Sequence, residues 1–370
     1  MKHNCPTCGN SNCEIILERS NESLARYGFI NSEDSPPLAT GLDQRVAYCE
    51  NCSYAWNTVF ECNKIKYDSD QIIEAGYFSK RYLDYQKASA LYLRKLMGYR
   101  PDTIVEIGAG AGIFINAFDA KRKVAIEPSE EAKQIDRSIE VYNEYYTEGK
   151  FNFAADIVVL RQVLEHIKNP VQFLKKIKKS FDSGERFHFY IEVPNSTLTF
   201  RFGRFYDYYY EHCNYFSIKT INHLAEQLDM EIIDLSTAMD GELLSVLMTN
   251  EKLNHRNLKE KIDTNRDLII NELNQKITGG KRILAWGASG TGVQILNNLK
   301  INKNLIYCVI DSDINKQGKF IPGTMQKIIS PVDAIEYQPD VILVLTQFHK
   351  TEIGASCGKL FPSAEVWFVN

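Results

Sequence analysis

The sequence predicts an α/β protein: two doubly wound units in series, preceded by a small cysteine-bearing module. Three observations predict it. Short β-branched runs alternate with amphipathic segments from Thr103 onward, a glycine-rich turn twice follows a strand, and two Cys-x-x-Cys pairs fall within the first 52 residues. A length of 370 residues leaves room for two or three compact units. The boundaries expected are 1–65 for the cysteine module, 66–250 for the first sheet, 251–280 for a helical connector and 281–370 for the second sheet.

Residues 1–65 read as loop-rich, with polar turns and the segment SPPLATG, so this module needs a staple beyond its own core. Cys5, Cys8, Cys49 and Cys52 supply one. Each pair sits on a tight turn that aims both sulfurs at one point, and four thiolates close a tetrahedral zinc shell. No position is left for water, so the Zn²⁺ expected is structural. The 40 residues between the pairs exceed the usual ribbon spacing, and Cys13 and Cys62 are substitute ligands. The chain has nine cysteines, an odd number, and its start lacks the charged-then-apolar order of a signal peptide. In the cytoplasm these features imply, clustered cysteines read as a metal site before disulfides. No apolar run approaches the roughly 20 residues that span a bilayer. A net charge of −4 with interspersed signs gives no basic field for nucleic acid or an anionic membrane.

From Tyr77 to about Tyr99 apolar and aromatic residues recur at helical spacing. The strands that follow read TIVEIG, KVAIEP, DIVVLRQ and FHFYIEVP, separated by helical stretches such as PVQFLKKIKKS. MEIIDLS and LLSVLMTN then form a hairpin that closes the sheet. The connector, LNHRNLKEKIDTNRDLIINELNQKI, reads as a polar helix that spans rather than packs, ended by Gly279-Gly280. After it RILAW, LIYCVIDSD, DVILVLTQ and EVWFVN restart the alternation at the size of half a Rossmann fold.

The first glycine turn, Glu106-Ile107-Gly108-Ala109-Gly110-Ala111-Gly112, lets a ligand approach the backbone where a helix begins. Dinucleotides and S-adenosylmethionine both use such turns. Glu127, about 20 residues on at the tip of the next strand, is placed to accept from ribose hydroxyls, with Pro128 beside it. Gln162 and His166 follow the strand DIVVL, where the carboxyl ends of parallel strands bind ligands. In the second unit Gly287 and Ser289 open a similar turn, and Asp311 occupies the ribose-contact position. A cleft between the units would hold a cofactor on one side and a nucleotide-linked substrate on the other.

The loop E-x-G-x-G-x-G resembles that of class I methyltransferases. The chain as a whole resembles the S-adenosylmethionine-dependent C-methyltransferases that act on nucleotide-linked keto-deoxysugars. The resemblance is carried by the paired Cys-x-x-Cys module, EIGAGAGIF, AIEPS, VLEHIKNP, IEVPN, EHCNYFS, WGASGTG and DSDINKQGKFIPG, in that order. It implies zinc in the first module, S-adenosylmethionine in the middle domain, and a last domain that helps hold the nucleotide sugar. Glu106, Gly108, Ala109, Gly110, Gly112, Glu127, Pro128, Gln162 and His166 are then cofactor contacts, and Tyr77, Asn195, Tyr215, Gly287, Ser289 and Asp311 substrate contacts.

The family's Y-H-E-H segment followed by Y-F-S matches Tyr209-Tyr210-Glu211-His212 and Tyr215-Phe216-Ser217. The first histidine is replaced by Tyr210, and a His-Gly-Gly-Ser turn by Asp240-Gly241-Glu242-Leu243. Carbon is methylated through a carbanion, and a sugar CH is acidic enough only beside a ketone. His212 is then the base, Glu211 its support, and Tyr209 a hydrogen-bond donor to the enolate oxygen. A direct Glu211–His212 contact needs a turn, since adjacent strand residues face opposite ways. The alternatives are an O- or N-methyltransferase on a related sugar, or a nicotinamide-dependent sugar-nucleotide enzyme using WGASGTG. A monomer or small homo-oligomer is expected.

Overall fold

The computed structural model describes residues 3–22, 41–65, 79–151, 153–252, 254–301, 305–346 and 348–369. Tyr77 lies outside the described residues. Two compact units are formed, Met1–Lys252 and Leu253–Asn370.

In the first unit, strands β1 (Cys13–Glu22), β2 (Leu42–Cys49) and β3 (Tyr54–Asn57) precede helix α1 (Lys80–Met97). Then follow β4 (Thr103–Ile107), α2 (Ile113–Ala117), β5 (Arg122–Ile126), β6 (Glu140–Tyr142), β7 (Ile157–Arg161), α3 (Pro170–Phe181), β8 (His188–Pro194), α4 (Ser196–Phe202), β9 (Asn214–Tyr215), α5 (Ile218–Leu228), β10 (Glu231–Ala238) and β11 (Leu243–Thr249). The second unit contains α6 (His255–Thr278), β12 (Ile283–Trp286), α7 (Gly290–Asn298), β13 (Cys308–Ile310), β14 (Lys327–Ile329), β15 (Val341–Val344), α8 (Lys350–Leu360) and β16 (Glu365–Phe368).

The main sheet of the first unit runs β10-β11-β8-β7-β4-β5-β6, and β11 is antiparallel to both β8 and β10. The expected closing hairpin is this β10–β11 pair. Because helices cover both faces, central strands are buried on both faces and mostly apolar rather than alternating. Val158 and Leu160 of β7 feed one core with Val105, Ile126 and Ile191. Ile157 and Val159 feed the other with Ile104, Phe114 and Leu247. Helix α3 starts on Pro170, whose missing N–H is one a first turn leaves unbonded anyway, and buries Val171, Leu174, Ile177 and Phe181 along one face. From β4 the chain passes to β5 on one side, and β7 flanks β4 on the other, so a crevice opens above the carboxyl end of β4.

The reading of residues 1–65 as loop-rich is corrected. β1, β2, β3 and β9 form a four-stranded sheet. Residues of β1 alternate between buried or half-buried and exposed over most of its length, which suits a strand with one covered face. Its packing comes from further along the chain: Tyr54 lies 5.5 Å from the Phe216 ring and donates to Asn214 Oδ1, while Thr220 Oγ1 donates to the Cys52 carbonyl at 3.0 Å.

The second unit is a parallel sheet of order β14-β13-β12-β15-β16, the strand order of half a Rossmann fold. Helix α6 corrects the expectation of a spanning helix. Its Leu273 is buried in this unit's core, with Ile269 and Ile277 packed beside it, an i, i+4, i+8 stripe hidden among charged neighbours. At the first turn of α7, a β-carbon on Gly292 would lie 2.0 Å from the Gly287 carbonyl oxygen, which explains the glycine there. Among the described residues no helix is long and apolar enough to cross a membrane.

Candidate active site

The loop after β4 is built from glycines because its backbone requires them. Gly108, Gly110 and Gly112 have φ of 73°, 53° and 76°, a region that costs side-chain-bearing residues steric strain. Glu127, at the end of β5, accepts from Gly110 N and Ser129 N, each at 2.8 Å, so a carboxylate stands against the loop. Gly108, Ala109, Gly110, Glu127, Pro128, Gln162 and His166 all line one cavity of about 220 Å³, with Tyr82, Tyr145 and Phe173 among its other walls. Glu106 and Gly112 lie beneath it instead: Glu106 Oε2 accepts from Ile115 N at 3.1 Å, and Gly112 packs on Ile135.

A β-carbon at Gly108 would sit 2.4 Å from Val163 Cγ2, in the cavity wall. Gly108→Ala is therefore expected to weaken binding of S-adenosylhomocysteine at least about tenfold by displacing loop or wall, as titration calorimetry would measure. Unchanged affinity would contradict this placement of the loop.

The far wall is the end of β7. Arg161 is buried, donates from Nη1 to Gln86 Oε1 at 2.9 Å and from Nη2 to Glu192 Oε1 at 3.0 Å, and lies 3.9 Å from Glu106 Oε1. Burial alone lowers an arginine's pKa, but Glu192 and Glu106 more than offset it and keep the group charged. Gln162 has φ of 53°, a strained value for a residue with a side chain. It is held there by N–H donation to the Glu192 carbonyl at 2.8 Å and by side-chain donation to Tyr82 Oη.

Beyond His166 lies the aromatic segment. Residues 209–212 form the turn that the acid–imidazole pair requires, closed by His212 N donating to the Tyr209 carbonyl at 3.2 Å. His212 is buried, its ring 4.7 Å from that of His166. Its Nε2 is 3.1 Å from Tyr209 Oη and 4.0 Å from Glu165 Oε1. His166 Nδ1 lies 2.8 Å from the Glu211 carbonyl, which can only accept, so Nδ1 carries the proton and a neutral ring keeps its lone pair on Nε2. His166 also borders a groove of about 460 Å³ with Ile65, Lys168 and Lys176.

A carboxylate near the His212 ring is that of Glu165, to which the sequence reading gave no role; the Glu211 backbone orients His166. Asn214 was missed as well. Its Nδ2 donates to the carbonyls of Leu164 at 3.1 Å and Ile167 at 2.6 Å, bracketing Glu165 and His166 and tying them to the strand after His212. The run VLEH next to a strand end was the available signal for Glu165, while nothing in the local pattern marks Asn214.

Asn195 caps α4, accepting from Thr197 N at 3.2 Å, and donates to the Gly241 carbonyl at 2.8 Å. Tyr215 is buried in β9, its Oη donating to the Tyr209 carbonyl at 3.3 Å. Tyr210 turns toward the first sheet, where its Oη accepts from Glu61 N at 3.0 Å and its ring packs on Phe60. In the second unit Asp311 repeats the arrangement at Glu127: it accepts from Ala288 N at 2.8 Å and Asp313 N at 2.9 Å, and Ser289 caps α7.

Cys5, Cys8, Cys49 and Cys52 place their sulfurs within 4.8 Å of one another, with Cys5–Cys52 and Cys8–Cys49 at 3.6 Å. The hydrogen bond between Cys5 and Cys52 pulls the Cys5 thiol below its ordinary value and pushes that of Cys52 up. Asn10 and Asn51 direct side-chain N–H groups at Cys49 and Cys8. Cys13 bonds the Asn10 carbonyl instead, and Cys62 is exposed.

The family described as "Methyltransferase domain" matches residues 79–235, and that described as "C-methyltransferase C-terminal domain" matches residues 237–366. The C-methyltransferase NovU of Streptomyces niveus is 23% identical over 94% of this chain and 90% of its own. Among solved structures, the N-methyltransferase NodS of Bradyrhizobium japonicum WM9 is 13% identical over 47% of this chain and 99% of its own, at a TM-score of 0.36. The plantazolicin methyltransferase BpumL is 14% identical over 46% and 84%, also at 0.36. The chain is an S-adenosylmethionine-dependent methyltransferase whose residues 237–366 are similar to the C-terminal domain of C-methyltransferases.

Proposed function

We propose that the enzyme methylates the carbon beside a ketone in a nucleotide-linked keto-deoxysugar, with His212 as base. The observation that carries this reading is the 3.1 Å between His212 Nε2 and Tyr209 Oη. A ketone oxygen and the α-CH are two bonds apart, so a base and a donor at that spacing engage both at once. The proton passes from the sugar carbon to Nε2, and the C–H electron pair forms the enolate, whose oxygen takes a hydrogen bond from Tyr209. Glu165, 4.0 Å from Nε2, stabilises the imidazolium. Bound in the cavity, the cofactor would supply an electrophilic methyl group: the carbanion would form the new C–C bond as the methyl–sulfur bond breaks, its electron pair staying on the sulfur of S-adenosylhomocysteine.

The cavity suits S-adenosylmethionine. Its glycine loop gives close backbone approach, and Glu127 stands at the ribose-contact position of the next strand. Gly287, Ser289 and Asp311 are assigned to the nucleotide of the substrate, supported by the Rossmann strand order and the same acid-on-loop arrangement. The four cysteines are assigned a structural Zn²⁺. Sulfurs at tetrahedral corners, with Zn–S bonds of about 2.3 Å, lie about 3.8 Å apart, close to the 3.6 Å found.

The test is incubation with a panel of nucleotide-linked 4-keto sugars in deuterated water. With S-adenosylhomocysteine present, deuterium is expected to enter the sugar CH; with S-adenosylmethionine, the product gains one methyl on carbon by mass spectrometry and NMR. Methylation on oxygen or nitrogen without exchange would sink the reading.

A further inference from the structure

We propose that the Arg161 guanidinium takes the amino-acid carboxylate of S-adenosylmethionine and makes the enzyme select for cofactors that keep it. The assignment rests on S-adenosylmethionine occupying the cavity above β4. Arg161 is the one arginine or lysine among the described residues that line this cavity, and it is 8% exposed. A guanidinium has five N–H donors, and here one on Nη1 and one on Nη2 are used, by Gln86 and Glu192. Nε is buried without a hydrogen-bond partner, and the 3.9 Å to Glu106 is too long for a hydrogen bond. The second N–H on each of Nη1 and Nη2, on a rigid planar fork of a residue that lines the cavity, fits a carboxylate.

Position and charge agree with this. Glu127 ends β5 and Arg161 ends β7, the two strands that flank β4, so the loop after β4 has a ribose partner on one side and a carboxylate partner on the other. Arg161 is the one positive side chain among the described residues of a cavity that Glu127 and Glu131 also line, so a carboxylate finds its only cationic partner at the end of β7. The Phe114 ring lies 4.8 Å from the guanidinium carbon and backs its face. Arg161 is a binding residue; the carboxylate it holds fixes the tail and hence the line along which the methyl group is presented.

The test compares ligands that differ only in the tail, by titration calorimetry on the full chain. Wild type is expected to bind S-adenosylmethionine about 10- to 100-fold more tightly than decarboxylated S-adenosylmethionine, the usual worth of a hydrogen bond to a charged group. Arg161→Met is expected to shrink that ratio to about twofold while keeping wild-type affinity for 5′-deoxy-5′-methylthioadenosine, which has no tail and reports an intact fold. Arg161→Lys, which keeps the charge but loses the fork, falls between and covers the case in which the methionine variant does not fold. Equal binding of the two cofactors by wild type overturns the proposal, as does full discrimination surviving in either variant. Failure of all these ligands to bind wild type overturns the cofactor assignment of the cavity as well.

Discussion

His212→Gln is expected to lower methyl transfer by about 10²- to 10⁴-fold while leaving affinity for S-adenosylhomocysteine within about twofold of wild type. Glutamine preserves the bulk and a polar contact for Tyr209 Oη, but no basic nitrogen. His212 is absent from the lining of the cofactor cavity, and its ring packs on His166, which lines it. Chemistry and cofactor binding therefore separate at this residue. Initial rates at saturating cofactor, calorimetry with S-adenosylhomocysteine and solvent deuterium exchange measure the three parts, and exchange is expected to fall with the rate. A variant that keeps full activity removes His212 as the base. One that loses exchange and cofactor affinity together shows a collapsed turn instead, and the 3.1 Å pairing with Tyr209 loses its meaning.

The sheet was legible where burial on both faces forces continuous apolar strands: TIVEI, IVVLR and HFYIEVP read as strands because no polar residue interrupts them except where one serves the site. β6 and β14, three residues each, sit beside parallel neighbours and carry too little pattern to be read. The N-terminal sheet was missed for a different reason. Its fourth strand, β9, comes from residues 214–215, and a pairing so distant in sequence leaves no local periodicity. The glycine loop and Glu127 were legible because conformation and spacing are written in residue types. The approach of Glu165 to His212 was not, because the two are distant in sequence and only the fold brings the carboxylate within 4.0 Å of the ring. The substrate contacts expected at Asn195 and Tyr215 are residues whose polar atoms serve a helix cap, a hairpin tie and the carbonyl of Tyr209.

Cys49→Ser is expected to abolish zinc retention, destabilise the first unit by at least about 3 kcal/mol, and lower its melting temperature by about 6–12 °C. The sign follows from the ligand set: four sulfurs lie within 4.8 Å of one another, two pairs of them at 3.6 Å, an ion bonded to all four would tie the two knuckles together, and serine removes one of those bonds. The same substitution is expected to cost more activity than cofactor affinity. The Cys49–Cys52 knuckle is joined to α5 through Thr220 at the Cys52 and Ser53 carbonyls. β3 pairs with β9, and Asn57 N donates to the Cys213 carbonyl at 2.9 Å. The turn bearing Tyr209 and His212 is thus held between the cysteine sheet and α5, whereas the loop after β4 draws its support from β5 and β7. Metal analysis of purified protein, calorimetric melting, and rates set against S-adenosylhomocysteine affinity before and after chelation separate these effects. A metal-free protein with unchanged melting and activity would remove zinc from the account and leave the cysteines as core residues. A loss of cofactor affinity equal to the loss of rate would mean that the knuckle supports the whole unit rather than the catalytic turn.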